Sequence, residues 1–303
     1  MKRVLILVLV MGLVFLVGCD SGEDAPTTQS VFVEGTQGLV VSFEVFGFQE
    51  GGISTIYDTD SFPIEMILKN VGEETLEPGD VQISLKGINL NDFENIPTGF
   101  LSNSKKIEGV SEFNPEGGEE LIDFTPGDNA KYKHSVTGFY NPDIFGTVEY
   151  RYKTRLIAPK ICFKGDLTDT SVCTVKESKE IFVSGAPMTI TSLVEDVRGR
   201  GIIDLAFEIS NVGGGRATKV GEVFDPRYDT VTYTMKTDPE KWDCRSAGLE
   251  NEARLVDGKA TVHCYLKEPL GEGELYTKQV ELELDYTYKS VIQESLKIKE
   301  SQS

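Results

Sequence analysis

The pattern of apolar and polar positions has a period of two along most of the chain. Val41, Phe43 and Val45 fall on one face of an extended segment, with Val40, Ser42 and Glu44 on the other. Residues 81–88, 230–236, 259–266 and 279–288 repeat this alternation and are rich in β-branched and aromatic side chains, as strands are. Pro-Gly, Gly-Gly, Asp-Gly and Asn-Pro pairs punctuate the runs as turns. Beyond residue 19 no stretch sustains a 3.6-residue apolar repeat over three turns. The pattern predicts an all-β chain of many short strands, the signature of β-sandwiches.

Two landmarks recur in the same order. Asn70-Val71-Gly72 and Asn211-Val212-Gly213 each close a strand-like run, at residues 62–68 and 202–209. Tyr150-Arg151-Tyr152-Lys153 and Tyr286-Thr287-Tyr288-Lys289 follow. The offsets, 141 and 136 residues, are nearly equal and imply a duplicated domain. The break at 184–187 divides the chain into a first sandwich at 35–184 and a second at 187–300. The surplus length of the first falls in residues 89–128, which read as long loops or an extra hairpin. Val148, Tyr150, Tyr152, Thr154 and Leu156 share one face, as do Leu282, Leu284, Tyr286, Tyr288 and Ile292; these tyrosines read as core. Asn-Val-Gly reads as a turn in which Asn and Gly tolerate left-handed φ.

The one long apolar run, 4–17, changes the setting. Lys2 and Arg3 precede it, and about 14 residues are too few for the roughly 20 that a membrane span requires. This is a secretory signal. Its end, Leu16-Val17-Gly18-Cys19, resembles the lipobox of bacterial-type lipoproteins, also used by archaeal surface proteins. The resemblance implies cleavage after residue 18 and a lipid on the Cys19 thiol. Residues 1–18 are then the signal peptide and 19–34 a polar tether, a coil reaching roughly 20 Å. The expected location is extracytoplasmic, anchored to the outer face of the membrane.

The chain holds 30 Lys+Arg and 49 Asp+Glu, a net charge of −19. A body of that sign is repelled by phosphate backbones, so no nucleic-acid partner is expected. With Cys19 lipidated, Cys162, Cys173, Cys244 and Cys264 remain, two in each half. Of their three pairings the economical one is Cys162–Cys173 with Cys244–Cys264, and export favours disulfides. Zinc would need closer cysteine spacing or a histidine pair, and neither is present.

Catalytic signatures are scarce. His134 and His263 are the only histidines and lie in different halves; no His-Glu-x-x-His, Gly-x-Ser-x-Gly or P-loop occurs. Oxygen-rich stretches (Asn89, Asn91, Asp92, Asn95; Asp58, Asp60; Asp166, Asp169) do not follow the order of an EF-hand loop. Trp242, the one tryptophan, precedes Asp243-Cys244 and reads as packed near a disulfide rather than as a sugar platform. No catalytic residue, metal or cofactor is assigned.

Strand, Asn-x-Gly, strand in an Ig-like sandwich resembles the CARDB-type surface domains of archaea and bacteria, and the paired landmarks resemble tandem Ig-like lipoproteins. The resemblance covers roughly 35–300. It implies a non-enzymatic, lipid-anchored surface protein engaged in adhesion, scaffolding or envelope assembly, with the membrane and a protein or envelope polymer as partners. The alternative is a ligand- or glycan-binding accessory subunit of a transporter or extracellular hydrolase, which an aromatic-lined pocket at the domain junction would favour. Two apolar loop stretches of the first sandwich, Phe139, Tyr140, Ile144 and Phe145, and Phe100 with Leu101, are the candidate partner contacts.

Overall fold

A computed structural model describes residues 31–168 and 171–302. The signal segment, Cys19 and residues 19–30 of the tether lie outside the described residues. Within them the chain is built of β-strands with two single-turn 3₁₀ helices at Leu90–Asp92 and Pro239–Lys241. No helix among the described residues is long and apolar enough to cross a membrane. Residues Phe32–Ser303 cluster as one compact unit.

Two long strands organise it. Asp143–Lys164 and Leu275–Lys299, each carrying one Tyr-x-Tyr, run antiparallel and pair at twenty positions. They form the spine of a large sheet that Val81–Lys86 extends on the first long strand and Asp229–Met235 on the second. Of three smaller sheets, two pack on its buried face and carry the repeat. One joins Leu39–Phe43, Glu65–Asn70 and Glu119–Asp123. The other has Met188–Gly199, Ile202–Asn211 and Lys259–Leu266 at its centre, with Trp242–Ser246 beyond. Each repeat therefore contributes the same five strands in the same order. The duplication is visible in the connectivity as well as in the sequence.

The register of the long strands has two-fold character. Tyr150 lies opposite Tyr288, and Tyr152 opposite Tyr286. With an offset of 136 residues, Tyr150 corresponds to Tyr286 and Tyr152 to Tyr288, so each tyrosine faces the counterpart of the other. Arg151 lies opposite Thr287, its own counterpart. This is the contact pattern of an isologous dimer, here within one chain. The four rings interlock: Tyr150–Tyr288 centroids are 5.7 Å apart, Tyr152–Tyr286 6.4 Å and Tyr150–Tyr152 5.6 Å, the last edge to face. All four are buried, and burial drives each phenol above its ordinary value, so they stay neutral hydrogen-bonding groups. One apolar cluster runs from Leu39 through these rings to Ile298.

The two sequence landmarks meet in space. Tyr152 Oη donates to Asn70 Oδ1 at 3.1 Å and accepts from the Glu74 amide at 3.3 Å, while the Gly72 amide also donates to Asn70 Oδ1, at 3.3 Å. In the second repeat Tyr288 Oη donates to Asn211 Oδ1 at 3.1 Å and accepts from the Gly215 amide at 2.8 Å, and the Gly213 amide donates to Asn211 Oδ1 at 3.2 Å. Asn-Val-Gly is thus half of a clasp whose other half is the second tyrosine. Neither Asn nor the final Gly of either copy adopts a positive φ, contrary to the left-handed turn expected. Glycine is required for space. A Cβ on Gly72 would lie 2.2 Å from Tyr152 Oη, and one on Gly213 would lie 2.3 Å from Tyr288 Oη.

Part of the 89–128 stretch also departs from expectation. Phe100–Ser102 folds back on Val81–Lys86 as a hairpin, but Glu119–Asp123 is a full strand of the first small sheet. Its pattern misleads because Glu120 is buried and Leu121 exposed. The Glu120 carboxylate is satisfied by the Ser104 amide and hydroxyl and the Lys105 amide, so a charged side chain points inward without penalty from lost partners.

Candidate functional site

The disulfides are Cys162–Cys173 and Cys244–Cys264, the expected pairing, and they suit an oxidising, extracytoplasmic setting. They also border a cavity in the surface. Cys162 immediately precedes Phe163 near the end of the first long strand. Cys244 and Cys264 face each other two residues from Trp242 and Leu266, which are themselves register partners.

Phe163, Trp242 and Leu266 form the floor of a cavity of about 370 Å³ between the large sheet and the six-stranded sheet. Phe163 comes from the first repeat and the others from the second. Tyr276 lies opposite Phe163 in the register and stacks on it, with centroids 5.0 Å apart and planes within 5°. Trp242 meets Phe163 edge to face at 6.0 Å. Floor residues are nearly inaccessible, whereas Tyr276 is 38% exposed and forms a wall. Asp238, Glu240, Lys241, Lys267, Glu268 and Glu274 line the rim. Asp238 is committed to Lys278 at 2.6 Å and Lys241 at 3.4 Å, which hold its carboxyl below the ordinary range. The carboxylates of Glu240 and Glu268 have no hydrogen-bond or ion-pair partner among the described residues, nor has the Trp242 indole N–H.

The charged cleft of the first repeat differs. Arg151, Lys153 and Arg155 project from the long strand toward Glu73, Glu74 and Asp80, but the cations are taken up locally. Arg151 pairs with Asp285 at 2.7 Å, Lys153 with Glu283 at 3.3 Å and Arg155 with Glu74 at 2.6 Å. The first two pairs cross the repeat seam and the third stays within the first repeat, each modest in energy.

The candidate contact residues separate. Phe139, Tyr140 and Phe100 are 63%, 44% and 51% exposed; Phe145 and Leu101 are half-buried; Ile144 is fully buried. Phe139–Tyr140 pairs with Lys299 and Ile298 at the opposite end of the second long strand from the cavity. Phe145 lies opposite Lys86, and Phe100 opposite Ser84, so both aromatics share one face of the large sheet. Lys297 sits 5.5 Å from the Phe139 ring centre, and Tyr140 stacks on Tyr132 at 5.7 Å.

Among the described residues each histidine meets one carboxylate. His263 Nδ1 lies 3.2 Å from Asp204, which Arg198 also approaches at 3.3 Å, and His134 Nε2 lies 3.4 Å from Asp92, which also accepts from Asn89. Among the described residues no group of three or more His, Cys, Asp or Glu side chains converges to hold a metal. The stretches at 58–60 and 89–95 have side chains taken up by backbone amides, some local and some distant in sequence. Asn89 accepts from the Asn91 amide, Asp58 from Val136 and Ser301, and Asp60 from Tyr57. The cavity was not legible in the sequence as a site, because Phe163 and Tyr276 meet only through a register set over more than a hundred residues. The position of Trp242 beside a disulfide was its one visible sign.

No protein-family model matches the chain, and no curated protein sequence does.

Proposed function

We propose that this protein is a lipid-anchored, extracytoplasmic, non-enzymatic binding or scaffolding protein of the tandem Ig-like, CARDB-like kind. Cys19 fastens it to the outer face of the membrane, and a short tether carries the folded body. The observation that carries this reading is the fusion of both repeats through a twenty-position strand pair, with large apolar side chains, Phe139 and Phe100 among them, exposed on short strands of the same sheet. A buried spine of interlocked tyrosines supports a role as a stiff mount for an exposed surface. The partner is a protein or envelope polymer. The test is crosslinking on intact cells followed by capture, comparing the native chain with Phe139→Ser and Phe100→Ser. Partner recovery should fall with both variants at unchanged melting temperature. Undiminished recovery would reject this face as the contact. Separately, Cys19→Ser should shift the protein from the membrane to the soluble fraction.

A second reading is favoured by a specific observation. The aromatic-lined cavity at the junction of the repeats supports an accessory subunit that binds a small ligand for a transporter or extracellular hydrolase.

A further inference from the structure

We infer that the cavity bounded by Phe163, Trp242 and Tyr276 is a binding site for a neutral saccharide unit. The inference deepens the ligand-binding reading and rests on it. Its volume, about 370 Å³, falls within the range of small-molecule sites. Its chemistry is divided as a sugar ring is divided. The exposed side of the Tyr276 ring offers flat apolar surface suited to the C–H face of a pyranose, beside a closely packed apolar floor of Phe163, Trp242 and Leu266. The rim offers what the hydroxyls need. Glu240 and Glu268 carry acceptor oxygens with no protein partner among the described residues, and the Trp242 indole supplies a donor equally without one.

Charge argues against an anion, which would meet four carboxylates, from Asp238, Glu240, Glu268 and Glu274. Against a cation the argument is the aromatic geometry: Phe163 already covers one face of Tyr276, so the rings form no open cage, and Lys241 and Lys267 stand on the same rim. A neutral polyol uses donors and acceptors alike. The site is also held open in advance. One disulfide is adjacent to Phe163 and the other spans the strands of Trp242 and Leu266, so little ordering remains for a ligand to impose.

Trp242 is the only tryptophan in the chain, so its emission reports on this cavity alone. The experiment titrates the folded, disulfide-bonded protein with neutral oligosaccharides of glucose, mannose, galactose and N-acetylglucosamine. Tetramethylammonium chloride and inorganic phosphate serve as charged probes, and calorimetry runs in parallel. At least one saccharide should shift the emission saturably. Tyr276→Ala should weaken that binding at least tenfold, Tyr276→Phe should largely retain it, and a Glu240→Gln/Glu268→Gln double variant should weaken it. Tyr276 is partly exposed, and an unchanged melting temperature separates lost binding from lost fold. Response to a charged probe but to no saccharide would overturn the saccharide assignment while leaving a ligand site. Silence toward every probe would overturn both. A saccharide bound equally well by Tyr276→Ala would place the site elsewhere and overturn the assignment too.

Discussion

The two clasps make the same bonds but should fail differently when their glycines are filled. A methyl group on Gly213 would meet Tyr288 Oη at 2.3 Å, then Pro187 Cβ at 2.8 Å and Tyr288 Cζ at 3.1 Å. One on Gly72 would meet Tyr152 Oη at 2.2 Å, but also the carbonyl oxygens of Gln37 and Gly185, both at 2.6 Å. Overpacking of this kind costs about 1–3 kcal/mol. Removing a clasp hydroxyl, by Tyr288→Phe or Tyr152→Phe, leaves a backbone amide without its acceptor and costs about 1–3 kcal/mol. At Gly213 the worst clash is with the atom that Tyr288→Phe deletes. The remaining close contacts are a proline ring carbon at 2.8 Å and the tyrosine Cζ at 3.1 Å, both side-chain atoms. Gly213→Ala with Tyr288→Phe should therefore cost less than the sum of the singles, by about 1 kcal/mol or more, beyond the ~0.5 kcal/mol within which independent sites add. At Gly72 two backbone oxygens remain in place whatever the tyrosine, so Gly72→Ala with Tyr152→Phe should regain much less. The assay is urea denaturation of both double-mutant cycles, followed by circular dichroism. Equal rescue in both clasps, or strict additivity at Gly213, would refute the claim that the tyrosine hydroxyl is what excludes a side chain there.

Four further outcomes are expected. A chain of residues 187–303 leaves Leu275–Lys299 without its twenty partners, so it should give no folded monomer by size-exclusion chromatography and circular dichroism; a stable monomer would show that the second repeat folds alone. Thr287→Arg sets an arginine opposite Arg151 and should destabilise by about 0.2–1 kcal/mol, reversed by Arg151→Thr in the same chain; urea midpoints decide it. Cys244→Ala/Cys264→Ala opens a loop of 20 residues and should lower stability by roughly 3 kcal/mol, read from the same midpoints. Burial raises the Glu195 carboxyl above its ordinary 4.5, against the pull of Lys179 at 2.8 Å, so the folded state holds this proton more tightly than the unfolded state. Its contribution to stability then declines as pH rises from 4.5 through the folded value, and Glu195→Gln should flatten that decline; superimposable pH–stability profiles would contradict it.

The all-β class was legible because alternation and turn residues are local signals. So were the face of each tyrosine strand and the disulfide pairing: Val148, Tyr150, Tyr152, Thr154 and Leu156 are all buried, as are Leu282, Leu284, Tyr286 and Tyr288. What escaped depends on register between distant strands. That Tyr150 would face Tyr288, or Phe163 stack on Tyr276, follows from an antiparallel alignment that no local window contains. Glu119–Asp123 escaped for a different reason, since its inward glutamate reverses the polar pattern that marks a strand face. The contact candidates were half legible. Phe139, Tyr140 and Phe100 are exposed, as aromatics in turn-rich stretches led one to expect, but alternation within the strand Asp143–Lys164 turned Ile144 inward and left Phe145 half-buried.

The seam between the repeats carries its own specification. Glu149-Tyr150-Arg151-Tyr152-Lys153 and Asp285-Tyr286-Thr287-Tyr288-Lys289 have the same chemical order: acid, tyrosine, spacer, tyrosine, lysine. Laid antiparallel about the central residue, such a segment is complementary to itself, with acid opposite lysine and tyrosine opposite tyrosine. The register has this form, setting Glu149 against Lys289 and Lys153 against Asp285. A slip of one residue would carry the two tyrosines of one strand to the charged face, so burial and charge select the same alignment. Only the central position gains from the copies being different. In a pairing of identical repeats an arginine at the centre would face itself. Here Arg151 faces Thr287 and reaches Asp285 at 2.7 Å, while Lys153 turns to Glu283 at 3.3 Å and Glu149 keeps Lys289 at 2.8 Å. Divergence at one residue thus removes a like-charge contact that two-fold symmetry would otherwise force, and it favours pairing of a first repeat with a second over pairing of two first repeats.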